Sequence, residues 1–264
     1  QGPSRIFPMS GSNFELTAKF TPPYSLFSGK DYGQLKQDVD DTTRRLFEIG
    51  EPGSTEEQLE FNQLRDELER LEEERFKLLE YYKIKFKGDW YTRIVDKLVL
   101  RTNAEFGFLG AYNHDIGDVP FERFYVGGDG LGNFTLDGRD VIQLRGYENQ
   151  SLTPYITNAI TGRLEQDGGT IYNKFSLEMR YPLTLKPTAS IYALSFLEAG
   201  NAFNNFNEYN PFELKRSAGV GLRIFMPAFG LLGIDFGYGF DTDARPQSVG
   251  PSGWQTHFII GQQF

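Results

Sequence analysis

Apolar and polar residues alternate singly over most of this chain, which is the period of strands whose two faces meet different surroundings. Phe14, Leu16, Ala18 and Phe20 stand against Glu15, Thr17 and Lys19 until Pro22-Pro23, predicting a first strand over about 12–21. Tyr82, Ile84, Phe86 and Trp90 against Lys83, Lys85 and Lys87 predict a second. A lysine at a lipid midplane costs roughly 2–4 kcal/mol, so these three are expected to face water. Beyond a turn at Val95-Asp96-Lys97, Leu98, Leu100, Ala104, Phe106 and Phe108 oppose Arg101, Asn103, Glu105 and Gly107. Phe175, Leu177, Met179 and Tyr181 against Lys174, Ser176, Glu178 and Arg180 predict a fourth strand. A fifth, over about 190–199, is rich in aliphatic and aromatic residues but alternates poorly. The sixth sets Ala218, Val220, Leu222, Ile224 and Met226 against Ser217, Gly219, Gly221 and Arg223. The seventh sets Leu232, Ile234, Phe236, Tyr238 and Phe240 against Gly233, Asp235, Gly237 and Gly239. In the eighth, Trp254, Phe258, Ile260 and Phe264 oppose Gln255, His257 and Gly261.

Two segments break the alternation. Over 31–80 the apolar residues move to helical spacing: Leu35, Val39, Thr42, Leu46 and Ile49, then Phe61, Leu64, Leu68, Leu71 and Leu78, with Arg75 in the vacant position. Gly50-Glu51-Pro52-Gly53 separates the two series, and Ser54 with Glu57 forms a capping box for the second. An antiparallel helical hairpin with a solvated charged outer face is expected. The second segment, 113–172, is rich in Gly and Asp and too long for a plain connection, so it is functional or disordered. Its Asp129, Asn133, Asp137 and Asp140 lack the spacing of an EF-hand.

Connections after the first, third, fifth and seventh strands are long, and those after the second, fourth and sixth are short. That asymmetry marks outer-membrane barrels and has no counterpart in a soluble sandwich. The fold class expected is all-β, a transmembrane antiparallel barrel with the helical hairpin inserted in an extracellular loop. Mean hydropathy of -0.44 does not oppose this, since a barrel strand is only half apolar.

Composition narrows the function. A net charge of -9 argues against nucleic acid, whose phosphates call for a basic surface. With no Cys there are no disulfides or thiolate metal sites, and two His, His114 and His257, exclude a multi-histidine centre within this chain. No metal or other cofactor is expected. Gly-x-Ser-x-Gly is absent and neither His has an obvious partner, so an enzyme is not expected. The chain shows no apolar run long enough for a spanning helix and no signal peptide at its start.

The distinctive chemistry is Leu144-Arg145-Gly146-Tyr147, reached through Phe124-Tyr125-Val126-Gly127-Gly128. Gly146 permits a sharp turn, and Arg145 carries a five-donor fork suited to carboxylates. The pattern resembles the loop signature of the BamA family of outer-membrane-protein assembly factors. Further likeness lies in Pro8-Met9-Ser10-Gly11 ahead of the first strand, in the Ser-Leu-Glu around Glu178, in Phe-Leu-Glu-Ala-Gly-Asn around Glu198, and in the ending Phe258-Ile-Ile-Gly-Gln-Gln-Phe264.

The resemblance implies that 1–264 is the C-terminal half of a barrel of about sixteen strands in the bacterial outer membrane. Periplasmic POTRA domains and the earlier strands would lie outside it. Loop 113–172 would fold into the lumen and be locked by Arg145, Gly146 and Tyr147 against Glu178 and Glu198. Glu178 shares a polar strand face with Lys174, Ser176 and Arg180, whereas Glu198 shares its parity with Leu194 and Phe196. The function implied is insertion of β-barrel proteins through a lateral gate, a weak seam at the terminal strand. There Phe258, Gly261 and Phe264 form one lip, Gly261 weakening or kinking the strand and Phe264 anchoring it at the lipid boundary. Partners would be unfolded outer-membrane proteins, accessory lipoproteins and outer-membrane lipid. A two-partner secretion pore and an autonomous small barrel acting as an adhesin are the alternatives.

Overall fold

A computed structural model of the chain describes residues 7–50, 52–113, 115–117, 119, 121–130, 139–158, 162–186, 188–227 and 230–261. His114, Asn133, Asp137 and Phe264 lie outside the described residues.

Each alternating run becomes a strand of one antiparallel sheet. These are β1 (Gly11–Phe20), β2 (Tyr81–Val95), β3 (Leu98–Ala111), β4 (Ile171–Lys186), β5 (Ala189–Phe203), β6 (Lys215–Met226), β7 (Gly230–Gly239) and β8 (Gly253–Gly261). They pair strictly in chain order, so every connection joins neighbours, and β1 and β8 are the two edges of the described sheet. The poorly alternating stretch is a full strand, β5, and it runs beyond the expected end to Phe203. Ile171 and Tyr172, expected in the long loop, already belong to β4.

The strands have two unlike faces because side-chain direction reverses at every residue. One face is apolar and uncovered: Leu16 is 71% exposed and Trp254 70%, and Leu177, Leu197, Val220, Phe258 and Ile260 are also exposed. Phe14 meets Trp90 edge-on at 4.9 Å, and Tyr238 meets Trp254 at 5.4 Å, building aromatic pairs along this outer face. The opposite, inner face carries the charges and glycines. No helix among the described residues is long and apolar enough to cross a membrane.

Between β1 and β2 the chain forms a single helical turn, α1 (Ser25–Ser28), and then the hairpin of α2 (Tyr32–Ile49) and α3 (Thr55–Phe76). Val39, Leu46, Leu64, Leu68 and Leu71 interlock with Leu35, Ile49 and Phe61. The Ser54 hydroxyl accepts from the Glu57 amide at 3.2 Å while the Glu57 carboxylate accepts from the Ser54 amide at 3.1 Å, a reciprocal cap. Helix α3 ends at Phe76, so Leu78 lies outside it and is partly exposed.

The long segment between β3 and β4 is compact in its described part. Phe124–Val126 pairs in parallel with Asp140–Ile142, and Gly128 bridges Leu144. Phe124, Val126, Ile142, Leu144, Tyr147 and Leu152 bury themselves against Leu109, Tyr172 and Ala202 of the sheet. The loop therefore packs on the inner face and contributes its own core.

Candidate functional site

Two patches of the inner wall receive this loop. The first is basic and formed by β2. Lys83, expected to face water with Lys85 and Lys87, is only 1% exposed. Its Nζ lies 2.9 Å from Glu122 and 2.5 Å from Asp140, while Lys85 reaches Asp140 at 3.1 Å. The lysines avoid the apolar face as the energetics require; Lys83 and Lys85 meet the loop's carboxylates there, while Lys87 stays about half exposed, 3.8 Å from Glu105 of β3. Burial pushes the Glu122 and Asp140 carboxyls upward. The hydrogen bonds and charge of Lys83, with Lys19 at Glu122 and Lys85 at Asp140, more than offset this and hold both below the ordinary range. These contacts give Asp140 two lysine partners, and no group of three or more His, Asp or Glu placed to hold a metal ion occurs among the described residues.

The second patch is acidic and receives Arg145, which is 3% exposed. Its guanidinium lies 2.7 Å from Glu178 on β4, 2.6 Å from Glu198 on β5 and 3.1 Å from Asp235 on β7. Its backbone amide donates to the other Glu198 oxygen at 2.8 Å. The plane of the fork covers the ring of Phe196 at 3.8 Å, a cation–π seat. Burial opposes the Arg145 charge, but Glu198 and Glu178 outweigh it and hold its pKa above the ordinary value.

Register explains why acids from three strands converge. Glu178 pairs with Phe196, Phe196 with Gly219, and Gly219 with Gly237, so one inner row runs from acid to ring to bare backbone. The adjacent row holds Glu198 opposite Ser217, and Asp235 stands opposite Gly221. Parity with Leu194 and Phe196 thus does place Glu198 on the inner face. That face of β5 is apolar because Tyr192, Leu194 and Phe196 pack with Phe7 and Val99, while Arg145 covers the Phe196 ring.

The glycines form the receptor for the loop tip. Gly146 has φ +85° and fits only by abutting β6 and β7, where a Cβ on Gly237 would lie 2.8 Å from the Gly146 nitrogen. Its amide donates to Nε2 of His257 on β8 at 2.8 Å. His257 therefore has a partner, contrary to the expectation from sequence, because that partner is a backbone amide supplied 111 residues earlier. Tyr147 is buried and its hydroxyl donates to the Arg216 carbonyl at 2.8 Å.

A surrounding charge ladder holds the acids in place. Glu178 also meets Arg101 at 3.3 Å and Arg180 at 2.5 Å, and Asp235 is gripped by Arg223 at 2.6 and 2.7 Å. Among the described residues Glu198 has, besides Arg145, one further basic partner, Lys174 at 3.9 Å. Asp235, His257 and Phe196 were missed as site residues. The available signal was that Asp235 is the single charge among glycines on its strand face.

Phe258 and Gly261, at the other proposed element, lie on β8. Phe258 is exposed on the outer face, and a Cβ on Gly261 would meet nothing within 4 Å, so crowding by a bulky neighbour is not what requires this glycine. Phe7, ahead of β1, packs edge-on against Tyr192 of the inner wall at 5.2 Å.

A family model described as the Omp85 superfamily domain matches residues 74–264. Among solved structures, the chain is similar to BamA from Haemophilus ducreyi lacking POTRA domains 1–3, with a TM-score of 0.55 at 16% identity. The alignment covers 96% of this chain and 38% of that one. No curated protein sequence matches.

Proposed function

Because the chain belongs to the Omp85 superfamily of outer-membrane β-barrel proteins, we propose that it is the barrel portion of a bacterial factor that inserts other β-barrel proteins into that membrane. Insertion or secretion of outer-membrane substrates is the function the family carries. The finer reading rests on one observation: Arg145, at the tip of a loop lying on the inner face, is held by carboxylates of three strands. A loop so anchored fixes the inside of the wall, and the edge of β8 is where an incoming strand would pair once that edge is accessible. In this proposal the eight strands are half of a larger barrel, and the role is non-enzymatic. The α2–α3 hairpin and the long loops other than 113–172 face outward from the cell, and unfolded outer-membrane proteins and accessory lipoproteins are the partners.

Depleting the full-length protein in its host tests this reading. Unrelated outer-membrane barrels are expected to disappear from the membrane together. Loss of a single exported protein, with the other barrels at normal levels, would instead establish a dedicated secretion pore.

A further inference from the structure

One contact of the lumen loop reaches the edge of the sheet. The Asp129 carboxylate accepts a hydrogen bond from the backbone amide of Phe258 at 3.2 Å. In an antiparallel ladder, amides alternate between pointing to the partner strand and pointing away from it. β8 has β7 on one side only within the described sheet, so an amide that donates to Asp129 is an edge donor. Edge donors are what an added strand uses to pair. A carboxylate oxygen there stands where the carbonyl of that strand would be.

The contact is tied to the arginine lock. Gly128, next to Asp129, exchanges backbone hydrogen bonds with Leu144 at 3.0 and 3.2 Å, and Leu144 precedes Arg145. The Asp129 amide is itself held by the Asn149 side chain at 3.0 Å. On the same strand, His257 accepts from Gly146. The loop thus touches β8 at consecutive residues, through the inner-face side chain of His257 and through the edge amide of Phe258.

We propose that Asp129 is a latch on the terminal strand: its carboxylate occupies an edge position that a backbone carbonyl of an incoming β-strand must take. Seating Arg145 among its acids then also closes the edge, and release of the loop opens it. As regulation of the seam, this rests on the insertase reading, whereas the capping itself can be tested alone.

The test uses the full-length protein in phospholipid vesicles, with heat-modifiable gel migration as the check on folding. Asp129→Ala removes the acceptor, and Asp129→Asn retains a neutral one. Amide exchange at Phe258 is expected to rise about tenfold in Asp129→Ala, the scale of one lost charge-assisted hydrogen bond. The rise in Asp129→Asn is expected to be smaller, and Arg145 and Gly146 are expected to stay protected in both.

A synthetic peptide with the sequence of residues 253–261 and an added cysteine then probes the edge by disulfide capture at Ile260→Cys, since this chain has no cysteine of its own. Capture is expected to increase several-fold when Asp129→Ala is added. Unchanged exchange at Phe258, or unchanged capture, would overturn the latch. Faster exchange and greater capture with an unaltered rate of client-barrel insertion would support the latch and count against the insertase reading.

Discussion

Removing Arg145 leaves its three carboxylates in unequal positions. Glu178 keeps Arg101 and Arg180, and Asp235 keeps Arg223, but Glu198 is left with Lys174 at 3.9 Å. Breaking a buried pair costs about 3–5 kcal/mol and an exposed one about 0–1, and a charged inner wall falls between. Arg145→Ala should therefore loosen the loop without unfolding the sheet, seen as faster protease cleavage within 113–170 with heat-modifiable migration retained. Adding Glu198→Gln should restore part of the protection, because it removes the stranded charge. Adding Asp235→Asn should not, because it strands Arg223 instead. An unchanged cleavage pattern in Arg145→Ala would refute the lock. The glycine receptor makes a second demand: a Cβ on Gly239 would lie 2.3 Å from the Gly146 carbonyl oxygen, a backbone atom. Gly239→Ala should cost about 1–3 kcal/mol, as overpacking does, and should expose the same loop sites to protease. At this scale Glu178 was legible from its polar strand face, while Arg145 and Glu198 were legible through the resemblance of the Arg-Gly-Tyr and Phe-Leu-Glu-Ala-Gly-Asn segments to the BamA family. Asp235, Phe196 and the glycines of β6 and β7 were not, because their role arises from register between strands distant in sequence.

Elements with local causes could be read directly. The α2–α3 hairpin follows from spacing and a capping box within one stretch of chain, and the strands other than the poorly alternating β5 follow from alternation. The inward course of the loop after β3 is different in kind, since its core combines six residues of its own with three of the wall. Nothing in 113–172 alone reveals that Glu122 and Asp140 will meet Lys83 and Lys85. That basic anchor carries a pH dependence. Glu122 and Asp140 are held below their ordinary values of 4.5 and 3.8, so the stabilisation they give is complete above those values and is lost as pH falls through the lower values of the folded protein. Amides at 122–126 and 140–142 should accordingly exchange faster at about pH 3 than at neutral pH, after correction for intrinsic rates. In Lys83→Met this acid-linked increase should shrink, because the lysine whose charge depresses both carboxyls is gone. An equal increase in that variant would assign the loosening to other groups.

Across the whole molecule, the sheet separates its solvents: every described ion pair that joins loop to wall is on the inner face, and the outer face is exposed hydrocarbon. Soluble proteins rarely leave a contiguous apolar surface of that kind uncovered, and as part of an outer-membrane barrel it has lipid for a partner. The two faces should then answer oppositely to the same substitution. Leu197 is on the outer face of β5 and 58% exposed, whereas Asn13 is exposed on the inner face of β1 and pairs in register with Asp89. An arginine facing lipid near the midplane costs about 2–4 kcal/mol and near the interfaces about 0–1. An arginine at 13 would instead enter a charged face beside Asp89. Leu197→Arg in the full-length protein should thus lower the urea midpoint in vesicles while Asn13→Arg changes it little. In a water-soluble fold both positions are exposed and neither substitution costs much. Equally small losses at the two positions would mean that the apolar face meets water, and the membrane-spanning assignment of the sheet would fall with it.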